Sequence, residues 1–123
     1  MARIMIVDDD FSFRKLACMI FEQHGVQTLG VEDGEAALEL ISLEKPDLIL
    51  LDIMLPGIDG YGVLKKLKQD PGARHIPVVI CSTTLRGPSQ VQKAMGLGAV
   101  DTIRKPIAPS QLYQRINDVL GGL

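Results

Sequence analysis

Only two of the 123 residues are cysteine, Cys18 and Cys81, and nothing about their spacing suits a metal. Two such thiols, in a chain whose start carries no export signal, are expected to be reduced and buried rather than paired. Basic residues are not in excess: 13 Lys and Arg stand against 15 Asp and Glu, a formal net charge of −2. That balance argues against nucleic-acid binding through a basic patch. No apolar run approaches the roughly 20 residues that a membrane helix needs. The first apolar stretch reaches Asp8 without a cleavage site, so a cytoplasmic setting is expected. Repeats, low-complexity tracts and linkers are also lacking. One domain over residues 1–123 is therefore expected, able to bury roughly two-thirds of its unfolded surface.

What is present centres on Leu51 to Gly60, L-D-I-M-L-P-G-I-D-G, and on the carboxylate of Asp52. The run Leu48-Ile49-Leu50-Leu51 has no polar alternation, which suits a strand buried on both faces. Pro56 and Gly57 read as the loop that ends it. Asp52 then sits at the carboxyl end of a buried strand, where open α/β sheets bind ligands; by itself it could equally be a loop cap. A second run, Arg3-Ile4-Met5-Ile6-Val7, also ends in acid, at Asp8, Asp9 and Asp10. Neighbouring strands lie about 4.8 Å apart, so these carboxylates would crowd one crevice. Like charges that close need a counter-charge. An all-oxygen donor set suits a small, hard cation, Mg²⁺ or its stand-in Mn²⁺.

Five β–α units emerge from the pattern. Phe13, Leu16, Ala17 and Ile20 recur at helical spacing before Gly25, with Ser12 either a cap or a residue on the site's rim. Val26 to Val31 reads as a more polar edge strand. Asp33-Gly34 leads into a helix carrying Ala36, Ala37, Leu40 and Ile41, which Lys45-Pro46 stops. A third helix starts near Gly60 and uses Val63, Leu64 and Leu67 before Asp70-Pro71-Gly72. Pro77 to Cys81 is the fourth strand, running into Ser82, Thr83 and Thr84. The fourth helix spans about Ser89 to Met95, and Thr102-Ile103-Arg104 forms the fifth strand ahead of Lys105-Pro106. A last helix carries Leu112, Ile116 and Val119 and ends at Gly121. Strict alternation with short loops predicts an α/β fold with a parallel sheet. The doubly wound order 2-1-3-4-5, helices on both faces, has its switch point between the first and third strands, where Asp8, Asp9 and Asp52 fall.

Ser82 and Lys105 end the fourth and fifth strands, adding a hydroxyl and an ammonium to that rim. A carboxylate nucleophile, a divalent cation, an ammonium and a hydroxyl suit phosphoryl transfer. Over essentially its whole length the chain resembles the receiver domain of a bacterial two-component response regulator, of the chemotaxis-receiver, flavodoxin-like kind. The motifs are V-D-D at Val7 to Asp9, D-I-M-L-P-G-I-D-G at Asp52 to Gly60, P-V-V-I-C-S at Pro77 to Ser82, and K-P at Lys105-Pro106. Each is weak alone; all four in order are specific.

The resemblance implies that Asp52 accepts a phosphoryl group from a sensor histidine kinase or phosphotransfer protein. It further implies that Asp9, Asp52 and the backbone carbonyl of Met54 bind Mg²⁺ directly, Asp8 acting through a water. Lys105, before a cis peptide, would pair with the phosphoryl oxygens, and the Ser82 hydroxyl would swing to meet them. Such a protein acts on a downstream protein target or on its own output domain. The resemblance leaves room for a homodimer on phosphorylation.

Plainer roles are expected elsewhere. Asp10 starts a helix, Asp59 caps a turn, and Thr83 and Thr84 end a strand, although Met54 and Thr83 occupy places that influence phosphoryl lifetime in this family. His24 and His75 are expected to be solvated, and Lys93 and the Lys65, Lys66, Lys68 run to be wet helix faces. Gly57, Gly60 and Gly62 lack the strand–helix frame of a phosphate loop. One departure from the family stands out: Thr102 occupies the place usually held by Tyr or Phe. Three alternatives compete with a free-standing receiver. The chain could be the receiver portion of a longer regulator with a DNA-binding or enzymatic domain. It could be an aspartyl-phosphate phosphatase, but Met54 stands where such enzymes carry a general acid. A flavin carrier fits the topology, but three acids would repel its phosphate.

Overall fold

The computed structural model describes residues 2–122. The two most apolar runs pair with each other at the middle of one parallel sheet. β1 (Arg3–Val7) lies between β2 (Gln27–Val31) and β3 (Leu48–Leu51), with β4 (Val78–Ser82) and β5 (Asp101–Arg104) beyond, in the order 2-1-3-4-5. Five helices alternate with the strands: α1 (Phe11–Glu22), α2 (Gly34–Glu44), α3 (Gly60–Gln69), α4 (Pro88–Gly96) and α5 (Pro109–Leu120). The doubly wound fold expected from the alternation is present.

Burial on both sides explains why these strands show no polar alternation. In β1 the side chains of Met5 and Val7 join Ile49, Leu51, Val78 and Ile80 in one core layer, under α2, α3 and α4. Ile4 and Ile6 join Leu48, Leu50, Val79 and Cys81 in the other, under α1 and α5. Successive residues point to opposite faces, so both layers draw on the same short runs. β2, at the edge, buries only Val31.

Local chemistry sets the helix boundaries. Asp10, not Ser12, caps α1, its carboxylate accepting the Ser12 amide at 3.0 Å. Asp33 and Asp59 cap α2 and α3 in the same way, and a cap of this type contributes about 1 kcal/mol. Leu16, expected to face inward, is instead exposed, in the wall of an apolar cavity with Phe13 and Ile20. Lys45 ends α2 in the left-handed region at φ 46°, immediately before Pro46. His24 and His75 are both exposed, although the His24 ring stacks on Tyr113 with centroids 3.7 Å apart. Lys68 departs from its expected wet face: its ammonium donates to the carbonyls of Arg74 and Ile76 at 3.0 and 2.9 Å. Burial holds it below the ordinary lysine value.

Gly60 is the residue that fixes the end of β3. A Cβ there would lie 2.2 Å from the carbonyl oxygen of Asp52 and 2.7 Å from Cα of Ile53. The start of α3 is thus pressed against the residue that ends β3, and the Gly60 amide donates to the Ile53 carbonyl at 2.8 Å. A Cβ at Gly96, by contrast, would meet nothing within 4 Å. Gly60→Ala is expected to lower stability by about 1–3 kcal/mol through overpacking, and Gly96→Ala to raise it by about 0.4–1 kcal/mol. Urea unfolding of both variants checks the pair; an unaffected Gly60→Ala would show that the contact yields easily.

Candidate phosphoacceptor site

Asp8, Asp52 and Lys105 are each the first residue past a strand, and the sheet's hydrogen bonding carries each one step further. The Asp8 amide donates to the Val31 carbonyl, that of Asp52 to Val7, and that of Lys105 to Ser82, each at 3.0 Å. Because Val7 is level with Leu51, the side chains of Asp8 and Asp52 emerge side by side at the switch point. Lys105 arrives from β5, two strands beyond β3, with a long enough stem to reach both. The Lys105-Pro106 bond is cis.

The Lys105 ammonium lies 2.5 Å from Asp8 Oδ2 and 3.3 Å from Asp52 Oδ2. All three groups are nearly out of solvent, with side chains 10%, 2% and 9% exposed. The second oxygen of each acid is also used: Asp8 Oδ1 accepts the Asp10 amide at 2.9 Å, and Asp52 Oδ1 that of Met54 at 3.2 Å. Asp9 is exposed, yet one oxygen from each of Asp8, Asp9 and Asp52 falls within 4.8 Å of the others. Ser82 is fully buried, its Oγ 3.0 Å from Thr84 Oγ1.

Burial pushes the Asp8 carboxyl above its ordinary value, against the pull of the Lys105 hydrogen bond and the Asp10 amide. Burial also works against the Lys105 ammonium, but its hydrogen bond to Asp8 and the charge of Asp52 carry it above the usual lysine value. Lys105 is therefore firmly cationic. Three carboxylates against this one ammonium leave a formal excess of two negative charges. The donor set is all oxygen, and a hard divalent cation fits it.

The structure thus brings Asp8, Asp9, Asp52 and Lys105 together and ties the Met54 backbone to Asp52. Ser82 stands at the end of β4, beside β3. Two neighbours of the site are not legible in the sequence. Arg14 crosses over Gly30 and donates to the Asp8 carbonyl at 2.7 Å, bracing the acidic turn. Phe13 places its ring 3.9 Å from the Lys105 ammonium. Helical spacing from Asp10 puts both on the first turns of α1, but their rotamers decide the contacts.

Comparison with known proteins agrees with this geometry. The response regulator receiver domain family matches residues 4–117. The chain belongs to the response regulator receiver family. It is 40% identical over 119 residues to the phosphate regulon transcriptional regulatory protein PhoB of Escherichia coli, covering 96% of this chain and 51% of that one. The chain therefore spans about half the length of the PhoB proteins it matches. Protein PilH of Pseudomonas aeruginosa is 39% identical over 125 residues, with 99% of this chain and 100% of PilH covered. Among solved structures, the signal receiver domain of a signal transduction histidine kinase from Syntrophus aciditrophicus superposes with a TM-score of 0.89. It is 35% identical, with 100% of this chain and 92% of that one covered.

Receiver domains act in phosphorelay signalling as phosphoacceptors, bind Mg²⁺ at an acidic pocket, and interact with histidine kinases or phosphotransfer proteins and with output domains. Among the described residues of this receiver domain, no helix is long and apolar enough to cross a membrane.

The charge excess makes a prediction. Asp9→Asn removes one carboxylate from the crowd, so the metal-free variant should melt above the parent. The rise in Tm on adding Mg²⁺, which reports binding to the folded state, should shrink. A metal-free Asp9→Asn that melts below the parent would contradict crowded, ionised carboxylates.

Proposed function

We propose that Asp52 is the phosphoacceptor of a single receiver domain occupying residues 1–123. The observation that carries this reading is the Lys105 ammonium bridging Asp8 and Asp52 at the carboxyl ends of the central strands. A lone pair on an Asp52 carboxylate oxygen attacks the phosphorus of a phosphohistidine in line; the new O–P bond forms as the P–N bond breaks, and the electron pair leaves with the imidazole. Lys105 turns from Asp8 toward the incoming phosphoryl oxygens and offsets their charge. Asp9, Asp52 and the Met54 carbonyl would hold Mg²⁺ (or Mn²⁺), with Asp8 acting through a water. Bound there, the ion neutralises the phosphoryl oxygens and the acceptor carboxylate.

Ser82 carries the response. Its hydroxyl, now on Thr84, turns to the phosphoryl group and draws the 83–87 loop with it. Thr102, half-buried in β5, is short and β-branched, so it cannot sweep the volume of an aromatic ring. Its carbonyl is already held by Arg115 at 2.8 Å. The receiving surface is then α4.

The chain catalyses only its own phosphorylation and dephosphorylation, in the cytoplasm, with a sensor histidine kinase or phosphotransfer protein as donor. The target is a second protein or an output domain. Relatives of both organisations exist, since PilH is matched end to end and PhoB over half its length. Met54 lies where a phosphatase of this chemistry carries its general acid, which counts against that activity.

Acetyl phosphate with Mg²⁺ should add one phosphoryl mass to the parent, labile to base and hydroxylamine, and none to Asp52→Asn. Ser82→Ala should still label, but lose the beryllofluoride-induced amide shifts across residues 85–95. Labelling of Asp52→Asn to the parent's extent would remove the assignment.

A further inference from the structure

Lys105 is bounded on three sides, and only two of them are acids. Its ammonium has three N–H donors; Asp8 and Asp52 take two directions. The Phe13 ring lies 3.9 Å from the nitrogen, centroid to Nζ. With the lysine side chain only 10% exposed, this ring covers ground that water would otherwise hold. Phe13 and Lys105 also border an apolar cavity of about 320 Å³ whose wall includes Pro106 and Ile107. Besides Lys105 itself and Thr83, the side chains lining that cavity are apolar.

Another aromatic residue on the same helix shows the difference. Phe11 is 63% exposed, and Arg14 and Lys15 lie 5.6 and 5.9 Å from its centroid. Those are loose surface contacts. The contact at Phe13 is short, nearly dry and made with the cation of the site itself. An aromatic face attracts an ammonium through its quadrupole, most strongly when both are desolvated. An aliphatic side chain of similar volume fills the same space without that attraction.

We propose that Phe13 is a positioning residue for Lys105: its ring face holds the ammonium in line with Asp52 while the lysine exchanges Asp8 for the phosphoryl oxygens. The proposal rests on the reading of Asp52 as acceptor. During transfer the Asp8 hydrogen bond is given up, and the ring is the contact that does not change. Lys105 therefore pivots over a fixed apolar face and is not free to turn toward solvent. Phe13 acts through Lys105 and supplies no group to the transfer itself.

The test joins a metal-free spectrum with a rate. The ring current of Phe13 should move the Lys105 ε-methylene protons upfield in the lysine-labelled protein, the signal being assigned by its loss in Lys105→Met. Phe13→Leu should abolish that shift and slow acetyl phosphate labelling about five- to thirtyfold, the range between an exposed and a fully desolvated contact of this kind. Phe13→Tyr should keep both. A Phe13→Leu protein that labels at the parent's rate overturns the proposal, whatever its spectrum. So does a Phe13→Tyr protein as slow as Phe13→Leu, since volume rather than the aromatic face would then be at stake. A parent that does not label on Asp52 overturns the acceptor reading instead, and the ε-methylene shift still decides whether the ring holds the lysine.

Discussion

The interaction on which the site depends is the ion pairing of one lysine with two carboxylates where β1 and β3 end. Coulomb attraction between unit charges a few ångströms apart is far stronger in a protein interior than in water. So is the repulsion between Asp8 and Asp52, which the sheet register forces side by side. Lys105 resolves that conflict from β5, which makes the pocket a product of the strand order 2-1-3-4-5. The backbone contributes as well, since the Asp10 and Met54 amides satisfy the oxygens that Lys105 leaves over. What remains is the exposed Asp9 and an excess of negative charge facing solvent, the condition for admitting a hard cation.

The same crowding links stability to function. A buried acid pair without its lysine would be costly, because neither carboxylate can rehydrate. The closeness of Gly60 to the Asp52 carbonyl leaves the end of β3 little freedom. Asp52 is therefore held rigidly, whereas the Ser82 hydroxyl is held only by the hydroxyl and the amide of Thr84, contacts that can be exchanged. Rigidity on the acceptor side and exchange on the β4 side fit a site whose charge changes and whose loop responds. With Thr102 anchored through Arg115, little motion is left to β5.

The sheet and the acids were legible because unbroken apolar runs leave one reading for strands buried on both faces, and because Asp8 and Asp52 directly succeed such runs. Lys105 and Ser82 were legible as strand ends, but their roles came through the four motifs together. Other features depend on how side chains turn after the elements pack. Lys68 looks like one more solvated lysine until the carbonyls of Arg74 and Ile76 are found within its reach. Phe13 reads as a core residue at helical spacing, and its position over Lys105 depends on how its side chain turns. Ser12 and Asp10 are both good caps by residue type, and only the turn after β1 selects Asp10.

Whether Lys105 exists mainly to neutralise crowded acids can be measured without metal or phosphate. Urea unfolding of Lys105→Met, Asp8→Asn and the double variant at neutral pH forms a double-mutant cycle, and residues in direct contact show coupling of about 0.5–3 kcal/mol. If the lysine offsets carboxylate repulsion, Lys105→Met is strongly destabilised and adding Asp8→Asn restores much of the loss. If the two losses simply add in the double variant, Asp8 and Lys105 are not coupled, and the electrostatic origin of the pocket is wrong.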